Sequence, residues 1–106
     1  MPSEAEELER VKNQVGSRER YNAAAQKWND WNKEYNQEVN HYNETSEKVT
    51  KNFNEGPLKH FNNNTDHGKE ALRELQKAID IRDAVIQRAR QQLQCVESRR
   101  PPMPQD

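Results

Sequence analysis

Residues 21–43 read YNAAAQKWNDWNKEYNQEVNHYN, and aromatic-asparagine pairs recur in them every seven residues: Tyr21-Asn22, Trp28-Asn29, Tyr35-Asn36 and Tyr42-Asn43. Val49 carries the series one step further. An apolar repeat of this period lies along one side of an α-helix, and that side needs a second helix to cover it.

The far end of the chain supplies a matching ladder. Leu72, Ile79, Ile86 and Leu93 occupy one heptad position, and Leu75, Arg82, Ala89 and Val96 the other, with Ala71, Ala78 and Val85 widening the stripe. Between the ladders stands Gly56-Pro57, read as a helix stop: glycine takes the left-handed cap and proline cannot extend the hydrogen-bond ladder. The spacing therefore predicts a helix over 17–55, a loop over 56–66 rich in Asn and closed by Asp66, and a helix over 67–98. Folded back antiparallel, the ladders set Phe53 opposite Leu72, Val49 opposite Leu75, Ser46 opposite Ile79, Tyr42 opposite Arg82, Val39 opposite Ile86 and Tyr35 opposite Ala89. Continued, the same register sets Trp31 opposite Leu93 and Trp28 opposite Val96. The fold class is all-α, a long antiparallel helical hairpin of coiled-coil type.

The ends are less regular. Ser3 and Glu6 have the spacing of a capping box, and Leu8, Val11 and Val15 form an apolar stripe behind them. Gly16-Ser17 then shifts the phase, because heptads counted from Val15 reach Asn22 and miss Tyr21. Residues 1–16 continue the long helix with a local bend or, alternatively, form a short third helix. Residues 99–106 hold three of the five prolines and read as a disordered tail; Pro101-x-x-Pro104 has its arginines at an offset unlike that of SH3 ligands. A single hairpin buries only one seam, so a second copy completing a helical bundle is expected, as a homodimer.

Composition narrows the function. Only 30% of the 106 residues are hydrophobic and 33% are charged, which suits thin helical packing and leaves no walls for an enclosed reaction site. A formal charge of −1 gives no general pull toward nucleic acid, although Arg82, Arg88, Arg90, Arg99 and Arg100 make the last helix end basic. Cys95 is the sole cysteine, which excludes an internal disulfide but permits a link between two copies. No phosphate-binding loop, nucleophile elbow or Cys-His arrangement occurs, so the chain is read as no enzyme. Neither a leader nor an apolar run of membrane-spanning length is evident, and the expected location is cytoplasmic.

Metal chemistry has weak candidates. Glu38 and His41 form one Glu-x-x-His, which di-iron bundles use twice, and His60 and His67 flank the loop beside Asp66. Solvated faces and turn roles explain these residues, so no metal or cofactor is expected. Trp28, Trp31 and Tyr35 have core spacing, yet tryptophan is a costly choice for a plain seam. Together with Arg99 and Arg100 they mark the end best suited to a protein partner, since large aromatics and arginine dominate binding hot spots. The Tyr-Asn steps between Tyr21 and Asn43 also resemble one helix of LemA-like bacterial proteins, a resemblance without a catalytic motif and one that implies no function here. The functional expectation is a structural or adaptor module for protein-protein interaction. The alternatives are a small metal- or ligand-binding bundle and a nucleic-acid accessory using the Arg-rich end.

Overall fold

The computed structural model describes residues 3–105; the first two residues of the expected N-terminal segment and the last of the tail lie outside it. Among the described residues the regular structure is entirely helical: α1 (Glu4–Phe53), a π-helical turn (Asn54–Leu58), α2 (Lys59–Asn63) and α3 (Lys69–Ser98). None of these helices is long and apolar enough to cross a membrane.

Helix α1 begins where Ser3 Oγ accepts the Glu6 amide at 3.2 Å, and Glu4, Glu6 and Glu7 in the first turn oppose the positive end of the helix dipole. It runs through Gly16 as one element, so there is no separate third helix. Short-range pairs support this stretch: Arg10 binds Glu7, Arg20 donates to Ser17 at 3.1 Å and Gln26 donates to Asp30 at 2.8 Å.

Gly56-Pro57 does not stop the helix. The ladder widens to π geometry over Asn54–Leu58, which relieves the clash of the Pro57 ring with the preceding turn, and α2 carries on to Asn63. No described glycine has positive φ, so the expected left-handed cap is absent.

The turn falls later than the sequence suggested. Asn64 leaves the helix with φ −85° and ψ 130°, while its amide donates to the carbonyls of His60 and Phe61. Asp66 does not cap α3; its amide donates to Asn64 Oδ1 at 3.0 Å, an Asx turn, and Gly68 O accepts the Leu72 amide at 3.2 Å. His67 closes the turn, its Nε2 2.7 Å from Phe61 O and its ring stacked on the Phe61 ring at 4.3 Å and 7°.

The chain divides into two units, Tyr35–Ser98 and Met1–Glu34 with Arg99–Asp106. Within Tyr35–Ser98 the helices are antiparallel. Arg82 lies over the Phe53 ring at 4.6 Å, Arg90 donates to Tyr42 Oη at 3.3 Å, and Tyr35 Oη donates to Glu97 at 3.3 Å. Residue numbers thus fall along α1 as they rise along α3. The predicted register is corrected by these contacts, since Arg90 stands where Arg82 was expected beside Tyr42, roughly two turns further along α3. The displaced turn is the cause. Moving the reversal from 56–66 to 64–68 slides α3 along α1 by about a heptad, and such a slide returns stripe residues to stripe positions.

The core is thin. Phe53, Ala89 and Val96 are buried and Tyr42, Val49, Leu75, Ile79 and Ile86 are half-buried, whereas Tyr21 and Val85 are exposed. Leu72, expected in the ladder, is exposed, because α3 now starts only three residues before it and its facing stripe begins at Ala71.

Candidate functional site

In the unit formed by residues 1–34 and 99–106, α1 places Trp28 and Trp31 three residues apart on one face. Their ring centroids are 5.6 Å apart and the planes tilt by 47°, which leaves an open notch between two aromatic faces. The Arg100 guanidinium fills this notch, 5.2 Å from the Trp28 centroid and 5.6 Å from that of Trp31. Both distances lie within cation–π range. One turn further along α1, Glu34 Oε1 accepts a hydrogen bond from Arg99 Nη2 at 2.8 Å. In the other direction, Pro101 and Pro102 line an open cavity of about 270 Å³ together with Ala23, Ala24, Arg20 and Lys27.

Residues 99–105 therefore do not project freely as the expected disordered tail would. They take non-helical backbone, and Pro101 and Pro104 are half-buried. Pro101 explains the end of the helix, since the residue before a proline is steered out of helical geometry.

Of the residues singled out for a partner, the structure brings Trp28, Trp31 and Arg100 into one cluster and sets Arg99 beside it on Glu34. Tyr35 belongs to the other unit, where its hydroxyl is bound to Glu97. Sequence reasoning missed Glu34, Ala23, Ala24 and the two prolines. A signal existed: Glu34 follows Trp31 by three residues and Ala24 precedes Trp28 by four, so all share a helical face.

The metal candidates do not assemble. Among the described residues no group of three or more His, Cys, Asp or Glu could hold an ion. Glu38 is half-buried in the hairpin stripe, His41 is exposed, and His67 is engaged by Phe61. His60 lines a cavity of about 240 Å³ with Pro57, Phe61 and Leu75, next to the turn. Cys95 is a free, exposed thiol. Several arginines of the basic end have internal partners: Arg82 has Asp83 and Phe53, Arg90 has Tyr42, Arg99 has Glu34, and Arg100 has the tryptophans.

The Tyr42 phenol has its pKa lowered, chiefly by the hydrogen bond from Arg90, with the positive charge of Arg90 acting in the same direction against desolvation. That shift belongs to the hairpin seam and not to the tryptophan cluster.

No curated protein and no solved structure matches the chain. A protein family does match, over residues 9–104, which takes in nearly all of α1, the turn, α3 and the segment that contacts Trp28 and Trp31. It is a different family from the LemA-like proteins that the Tyr-Asn steps resemble. The chain belongs to the family described as "Putative T7SS secretion signal domain".

Proposed function

We propose that this chain is a non-enzymatic helical export signal, the part of a T7SS (type VII secretion) substrate that a protein of the export apparatus recognises. The family match over residues 9–104 carries this reading, because the matched span takes in nearly all of the helical structure and is not a short peptide within it. Recognition then depends on folded helices and on the surface they present. The tryptophan cluster is the surface best suited to a protein partner: two large aromatics, a guanidinium and an exposed carboxylate lie together on a half-open face. The proposed destination is accordingly outside the producing cell, which replaces the cytoplasmic location expected from the sequence. Self-association is part of the same proposal and is supported by Leu8, Val11 and Val15, all exposed on α1.

A secretion assay tests this. The chain fused to a reporter should direct export in a cell carrying the apparatus, and a helix-breaking Leu75→Pro should abolish export. Trp28→Ala with Trp31→Ala should lower export while circular dichroism shows the helices retained. Equal export with and without the chain, or with both tryptophans removed, contradicts the reading.

A further inference from the structure

We propose that residues Ala23 to Glu34 of α1 form a binding site for an extended Arg-Arg-Pro-Pro peptide, and that the chain fills this site in cis with its own Arg99–Pro102. The site has three parts in helical sequence, two in direct contact with tail residues and the third sharing a cavity with them. Glu34 takes Arg99, the notch between Trp28 and Trp31 takes Arg100, and the small side chains of Ala23 and Ala24 leave room for Pro101 and Pro102. The tail thus runs antiparallel to α1.

The chemistry of each part is selective. A planar guanidinium stacks on two tilted indoles where an ammonium would offer only a point charge. Two prolines hold the backbone extended beforehand, which reduces the ordering cost of binding. These contacts are made by side chains that do not need the tail to be covalently attached at Ser98. Attachment supplies only effective concentration, on the order of millimolar for a short tether. An Arg-Arg-Pro-Pro segment from another chain competes for the same face, and so does any partner that docks on the tryptophans. This site stands on the tail geometry and does not depend on the export reading.

The test uses the full chain and its R99A/R100A variant, which changes two exposed residues outside the helices and empties the site. Nuclear magnetic resonance follows the indole N–H signals of Trp28 and Trp31. Both signals should differ between the two proteins. A synthetic peptide of residues 98–106 should shift those of the variant saturably with a midpoint well below the roughly millimolar effective concentration of the tethered tail, while moving those of the intact chain far less. The same peptide carrying Arg100→Ala should bind about five-fold more weakly or worse. The proposal is overturned by indole signals unchanged in the variant, by equal peptide response in both proteins, or by equal binding of the two peptides.

Discussion

The two ends of α1 belong to one helix and meet different fates. Toward the turn, residues 35–53 present a half-buried stripe to α3 and end on buried Phe53. Toward the N-terminus, residues 4–22 have exposed side chains throughout; Leu8, Val11 and Val15 are 57%, 41% and 49% exposed. Local chemistry suffices to keep the first stretch helical: a Ser3 cap, an acidic first turn and pairs such as Glu7 with Arg10. Helical spacing of apolar residues does not by itself recruit a partner. What recruits α3 is the in-phase ladder from Tyr35 onward, whereas the stripe of Leu8, Val11 and Val15 is out of phase with that ladder across Gly16-Ser17.

The largest expected contrast is between truncations at the two ends. Phe53→Ala should cost about 3–5 kcal/mol, as for a buried aromatic in a packed seam. Leu8→Ala, measured at a dilution where the chain is a monomer, should change stability by no more than about 0.5 kcal/mol. Denaturant midpoints measure both, and a Leu8 variant as damaged as the Phe53 variant would show that the first half of α1 is also covered in solution. Overpacking sharpens the same contrast. Ala89→Leu, at a site 3% exposed, should cost about 1–3 kcal/mol, whereas Ala5→Leu on the exposed end should be near neutral in a thermal melt.

Glycine substitutions probe the helix between the two ends. Gly56→Ala should stabilise the chain by up to about 0.5–1 kcal/mol, because the backbone is right-handed and a Cβ there meets nothing within 4 Å apart from its two chain neighbours. A loss of stability would place a left-handed turn at Gly56. Gly16→Ala should gain less, since its Cβ comes 3.3 Å from the flexible end of Arg20. The smallest effect lies in the hairpin seam. Arg90→Ala should raise the alkaline titration midpoint of Tyr42, followed by phenolate absorbance. A phenol with a lowered folded pKa adds its full stability above its ordinary value of 10.0, and that stability declines below it and is lost as pH falls through the folded value. Near neutral pH the phenol is protonated in both states, so this linkage contributes nothing there.

Much of the fold was legible because heptad periodicity reports which faces are covered. Ile79, Arg82, Ile86, Ala89, Leu93 and Val96 all turn inward as their spacing required. Register was not legible, since sliding α3 by a heptad leaves that face unchanged. Only the turn position fixes it, and Gly56-Pro57 was misleading: glycine beside proline reads as a stop, yet it is also the pair that a π-helical turn accommodates. In the tryptophan cluster, Trp28 and Trp31 stood out by residue type. The role of Arg100, Pro101 and Pro102 was hidden, because a Pro-rich end has no periodicity to show that it lies against a helix.

The hairpin register within Tyr35–Ser98 fixes which residues of α1 and α3 face each other. Nuclear Overhauser contacts in a uniformly labelled sample decide it. The structure predicts contacts from the Phe53 ring to Arg82 and from the Tyr42 ring to Arg90. Contacts from Phe53 to Leu72 and from Tyr42 to Arg82 would contradict it and return the turn to Gly56-Pro57.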